Sequence, residues 1–265
     1  IKNRNRLYRS ILVHEHFVFD DQRGYSTLDW CIEAVGLDAD IFRDELKING
    51  REAFAKAQAD AISEYFPDLK VVDSCKVEDN REENRIVIFG ECVFSYFGTL
   101  YNNNIIQVVY RPRWFLNFIT HLGPNKKRVN PLELYYPCLV RHEVIFQSPK
   151  IISNAAYDDA IFNESNEWFR AKSAVFGLGE GRALYAFTYQ ALKDCVHPKD
   201  YARFYLLNDL LRNRNTHCSH ILRDFNLSSI VSVDEALFKF TPSKKSNIEW
   251  KIKKLSIDNA NEWFN

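Results

Sequence analysis

The chain has 265 residues, 46% of them hydrophobic, and its 35 lysines and arginines balance 35 aspartates and glutamates. That is ample apolar content for a core, and it excludes the overall basic field by which proteins cling to nucleic acid indiscriminately. The six cysteines, Cys31, Cys75, Cys92, Cys138, Cys195 and Cys218, show no C-x-x-C spacing and read as free thiols of a reducing cytosol. No run approaches the roughly 18 apolar residues of a membrane span, and the basic start 1–9 leads into no signal-peptide core. A soluble cytoplasmic protein without membrane contact is expected.

In chain order, Arg51 to Phe66 spaces Ala53, Phe54, Ala57, Ala61, Ile62 and Tyr65 at helical intervals ahead of Pro67, which predicts an amphipathic helix with a hard stop. The runs Arg85 to Leu100, Ile105 to Tyr110 and Leu139 to Gln147 are rich in Val, Ile, Phe and Tyr and read as strands. Asn102-Asn103-Asn104 predicts an antiparallel hairpin between the first two. Beyond Ser153, helices are predicted over Tyr157 to Phe176, Glu180 to Cys195 and Pro198 to Phe225. Gly177, Gly179 and Gly181 then form a helix–helix connection, and Pro198 sits in a tolerated first turn. Such helices joined by short loops make a bundle. The expected fold is α+β: a mixed region with an antiparallel sheet over 1–152, a C-terminal α-helical bundle over 153–228, and an extension over 229–265 with a short helix at Asp234 to Phe240.

The stretch Arg212-Asn213-Arg214-Asn215-Thr216-His217-Cys218-Ser219-His220 gathers arginines, asparagines and histidines at a predicted helix end. Cleaving RNA through its own 2′-hydroxyl needs a base, an acid for the departing 5′-oxygen, and positive charge at the phosphorane. Histidine and arginine supply these without metal or cofactor. Arg212-Asn213 with His217 resembles the R-N-x-x-x-H signature of the HEPN superfamily of helical ribonucleases. The resemblance covers Tyr157 to Phe225. It implies a metal-independent endoribonuclease, often a toxin or defence effector, whose cleft is completed across a homodimer. His217 is then the acid or base, Arg212 holds the phosphate and Asn213 positions one of them. Arg214 and His220 offer a second register. Arg111, Arg113 and Trp114, with Lys126, Lys127 and Arg128, interleave cations with aromatics and form a candidate RNA-binding surface.

Two metal-based alternatives rest on other residues. His14 and His16 project to one side of a strand and resemble the first-strand H-x-H of amidohydrolases and phosphotriesterase-like enzymes, with His121 and His142 available as further ligands. Such enzymes need a long β/α barrel, for which this chain has too few alternating units. Asp73 and Glu91 resemble the magnesium-binding acids of restriction-endonuclease-like nucleases, but Val93 stands where that pattern expects lysine. A non-catalytic RNA- or protein-binding regulatory module is the alternative from another class.

Overall fold

Alternation of apolar and polar residues makes β1 (Arg9–Val18) and β2 (Ser26–Gly36) the centre of a nine-stranded sheet. The structure is a computed structural model that describes residues 8–95, 98–102, 105–119, 128–149, 152–153, 162–214, 218–223 and 227–240. After β2 the chain runs through α1 (Leu37–Ile62), β3 (Lys70–Val71), β4 (Lys76–Asn80), β5 (Arg85–Phe94), β6 (Thr99–Asn102), β7 (Ile105–Tyr110) and α2 (Arg113–Phe118). It continues through β8 (Leu132–Glu133), β9 (Cys138–Gln147), β10 (Ile152–Ser153), β11 (Phe162–Ser165), β12 (Phe169–Gly179), β13 (Arg182–Ala191) and β14 (Cys195–Val196). α3 (Tyr201–Arg214), β15 (Cys218–Arg223) and α4 (Val233–Lys239) complete the described elements.

The large sheet has the order β11-β12-β13-β9-β1-β2-β5-β3, with β4 also on β5, and a smaller sheet runs β10-β15-β7-β6. In the large sheet β1 and β9 are parallel, and the other neighbours are antiparallel. One face of it is apolar. Ile11, Val13 and Phe17 of β1, Leu28, Trp30 and Ile32 of β2, and Val140, Val144 and Phe146 of β9 are buried in the main core with Phe42, Phe54 and Ala59 of α1 and Phe115 of α2. Trp30 lies across from Gly90, where a Cβ would overlap its indole ring. Only glycine admits that close approach. α1 is broken at Gly50, whose φ of 82° is not helical, and its second half buries Phe54, Ala55, Ala59 and Ile62.

The expected helix from Arg51 is therefore the second half of α1, and β7 spans the predicted Ile105 to Tyr110. The hairpin at the asparagine run joins β6 to β7. The C-terminal helical bundle does not form. Of its predicted helices, only Tyr201–Arg214 is an α-helix, and residues 162–191 are the strands β11, β12 and β13. Alanine-rich as that stretch is, its main-core residues recur at every second position, Ala183, Tyr185, Phe187, Tyr189 and Ala191, which a strand achieves and a helix does not. The glycine trio is a hairpin turn. Glu180 (φ 50°) and Gly181 (φ 68°) are both left-handed, as a two-residue turn matched to strand twist requires.

The described cysteines Cys31, Cys75, Cys92, Cys138 and Cys195 are free thiols. Among the described residues no helix is long and apolar enough to cross a membrane.

Candidate functional site: the polar face of the sheet

The sheet face opposite the main core carries His14 and His16 of β1, Asp29 and Glu33 of β2, and Arg141 and Glu143 of β9, set among apolar Leu12, Val35 and Ile145. Cross-strand register sets His16 beside Asp29 and Asp29 beside Glu91. In the next row His14 lies between Cys31 of β2 and Glu143 of β9. α4 packs on one corner of this face, burying Val93 with Ala236.

The histidines are set differently. His14 Nδ1 lies 2.8 Å from Glu143 Oε2. Arg141 Nε lies 2.5 Å from the other oxygen of Glu143. Burial works to raise the Glu143 carboxyl, but His14 and Arg141 prevail and hold it at about 2. It therefore stays ionised beside His14.

His16 Nε2 meets Gln147 Oε1 at 2.9 Å. Because that oxygen only accepts, Nε2 carries the proton, and the tautomer assigned this way leaves Nδ1 as a bare lone pair. Nδ1 is buried and unbonded, and the residue is only 6% exposed. Burial lowers the His16 pKa, opposed by the bond to Gln147 and assisted by the charge of Arg182. His16 is thus a neutral imidazole whose lone pair sits on a buried Nδ1.

Burial first, and then the charge of Glu91, raise the Asp29 carboxyl from 3.8 to about 6. Folding therefore tightens its hold on the proton. The cost is absent below about pH 4 and complete above about pH 6, where it reaches roughly 2–3 kcal/mol. Asp29→Asn is expected to exceed wild type in urea stability by that order at about pH 8, with the advantage vanishing towards about pH 4. Equal stability at the higher pH would contradict the raised carboxyl.

Ser10 Oγ, His16 Nδ1, Glu33 Oε2, Arg182 Nε and Gln190 Oε1 are buried polar atoms without a hydrogen-bond partner, and strand alternation puts all of these on the polar face. Others lie elsewhere, among them Trp30 Nε1 and His142 Nδ1 on the core side. Cys31 is no nucleophile here, since burial, with the charge of Glu33, pushes its thiol up to about 12.

The residues anticipated from sequence fall in several places. His14 and His16 do share a face. His142 projects to the other side of the sheet, where its Nε2 lies 2.8 Å from Glu15 Oε2 in the core, and His121 is outside the described residues. Asp73 is exposed in the loop after β3 and accepts from the Ser74 N–H, while Glu91 lies on β5. Among the described residues no three His, Cys, Asp or Glu side chains converge so as to hold a metal ion.

Arg212, Asn213 and Arg214 end α3, where Arg212 Nη1 donates to the Ile119 carbonyl at 2.8 Å. His217 lies outside the described residues, and His220 stands on β15 opposite Val108. In the anticipated RNA surface, Trp114 packs edge-on to Phe42, Arg113 lies over the Trp114 ring and donates to Gln58, and Arg111 is exposed. Arg128 lies over Tyr201, while Lys126 and Lys127 are outside the described residues. Glu143, Asp29 and Arg182 escaped sequence reading. The signal that would have flagged Asp29 is the alternation Asp29-x-Cys31-x-Glu33 inside an apolar strand. No protein-family model and no curated protein matches the chain, so its function is read from this geometry.

Proposed function

We propose that this chain is a metal-independent endoribonuclease whose chemistry lies on the polar face of the large sheet. The observation that carries the reading is a pair of histidines two residues apart on one strand: His16, whose pKa burial lowers and whose Nδ1 is unbonded, and His14, 2.8 Å from an ionised carboxylate. A neutral imidazole and a second imidazole beside a carboxylate are groups that can serve as base and acid in one step. Alternate residues on a strand stand about 7 Å apart, a spacing that suits a phosphoryl group between the rings, and since both side chains are buried the face must open for substrate to enter.

In this mechanism His16 Nδ1 takes the 2′-hydroxyl proton and the 2′-oxygen attacks phosphorus. The bond from phosphorus to the 5′-oxygen breaks, and protonated His14 delivers its proton to that oxygen. The products are a 2′,3′-cyclic phosphate and a 5′-hydroxyl. Glu143 stabilises the imidazolium of His14 between turnovers, and Arg141 and Arg182 supply positive charge for the non-bridging oxygens.

The test is cleavage of a labelled single-stranded RNA in chelator, with product ends identified, by wild type, His14→Asn and His217→Ala. Cyclic phosphate ends from wild type and His217→Ala, and loss with His14→Asn, are expected. The reverse pattern would return the chemistry to the arginine and histidine cluster after α3, and no cleavage by wild type would overturn the reading.

A further inference from the structure

Both histidines of β1 are met by β9. Glu143, Ile145 and Gln147 follow one another along one side of that strand, and the parallel register sets Glu143 beside His14 and Ile145 beside His16. His16 is therefore reached from the next row, by Gln147, whose Oε1 lies 2.9 Å from Nε2. Gln147 has little freedom to move away. Its carbonyl accepts from the Phe19 N–H at 2.8 Å, and it pairs in register with Arg182 of β13, so strands on both sides fix the base of its side chain. One histidine thus faces a carboxylate and the other a carboxamide.

A carboxamide can present either end to a ring nitrogen. With its oxygen forward, Nε2 carries the proton and the buried Nδ1 keeps a lone pair. Turned round, the amide would donate to Nε2 and force the proton onto Nδ1, a buried N–H with no acceptor, which folded proteins tolerate less than an unmet lone pair. The oxygen-forward arrangement is therefore the stable one. A carboxylate in the same place would also accept from Nε2, but its charge would draw a second proton onto the ring. Among the described residues, the other ionisable groups on the strands around His16 are His14 on β1, Asp29 on β2 with Glu91 beyond it on β5, Glu143 on β9 and Arg182 on β13. Burial is the main force against a second proton; the bond to Gln147 works the other way, and the charge of Arg182 adds to burial.

We infer that Gln147 is the positioning residue of this site: its amide oxygen holds the proton of His16 on Nε2, which makes Nδ1 the base nitrogen, and its neutrality leaves that nitrogen unprotonated where a glutamate would not. The use of Nδ1 as a base rests on the nuclease reading. The hold of Gln147 on the ring does not.

NMR titration of His16 in isotope-labelled protein, without RNA, tests that hold directly. Wild type should show the ring proton on Nε2 at about pH 8, where imidazole is neutral. Gln147→Glu keeps an acceptor for Nε2 and adds a charge that Arg182 can meet, and it is expected to raise the midpoint of His16 by about 1–2 pH units. Gln147→Leu fills the space without an acceptor and should lower it. Altered packing alone would not send the two variants in opposite directions. Asp29 also titrates near this ring, at about 6, so both comparisons are repeated with Asp29→Asn, where the opposed shifts should persist. In cleavage, Gln147→Glu should move the acid limb of kcat/KM upward and recover at about pH 8, whereas Gln147→Leu should lose about 10–10²-fold at every pH. A proton on Nδ1 in wild type, a midpoint that Gln147→Glu leaves in place, or shifts that vanish with Asp29→Asn would each overturn the inference. Opposed shifts in a protein that cuts no RNA would support the hold of Gln147 on His16 while removing the catalytic reading.

Discussion

His14→Asn is expected to lower kcat for RNA cleavage by about 10²–10⁴-fold, the usual worth of one positioned proton-transfer group. Asparagine keeps a donor where His14 Nδ1 meets Glu143 but has nothing that titrates at Nε2, so KM should change little while the chemical step fails. His16→Gln makes the complementary change, keeping a group for Gln147 and removing the Nδ1 lone pair. Acid and base act in one step, so the double variant should lose much less than the product of the two single losses. A His14→Asn enzyme that folds normally and keeps its kcat would end the assignment of His14 as the acid.

The second large effect lies on the opposite side of the same strand. Glu15 and His142 pair in the apolar core at 2% and 0% exposure, with Oε2 and Nε2 2.8 Å apart. Removing one partner of a buried pair strands the other in a low dielectric, and Glu15→Ala is expected to cost about 3–5 kcal/mol in chemical denaturation. Replacing both residues by leucine should recover most of that loss, since apolar groups of similar volume leave nothing unpaired. Activity per folded molecule should be unchanged in the double variant, because the pair faces away from the histidines that do the chemistry. A cost below about 1 kcal/mol for Glu15→Ala would show the pair to be solvated rather than buried.

The strands that frame the site were legible where composition was unambiguous. β7 and β9 are dense in β-branched and aromatic residues, and the asparagine run marks the turn before β7. β12 and β13 were not legible as strands, because alanines at 171, 174, 183, 186 and 191 have strong helix propensity, while the deciding feature is a tertiary one, the seating of β13 on β9. The site followed the same division. His14 and His16 show their shared face by spacing alone. Glu143, Asp29 and Arg182 reach them from distant parts of the chain, and nothing local in the sequence says that β9 pairs parallel with β1. The residues of the arginine and histidine cluster are adjacent in sequence, yet Arg212 to Arg214 end α3 and His220 belongs to a strand in the other sheet. Adjacency in the chain is a poor guide to a site assembled across a sheet.

The central claim is that His16 is the neutral base of a metal-free reaction, and the pH dependence of kcat/KM for single-stranded RNA, measured in chelator for wild type and His16→Gln, tests it most directly. A base works only when deprotonated, and the folded protein lowers the His16 pKa below 6.5. The wild-type profile should therefore keep its activity to a pH below the ordinary histidine value before falling on the acid side, and His16→Gln should lose that acid limb together with most of the rate. An acid limb that survives His16→Gln unchanged would contradict the assignment.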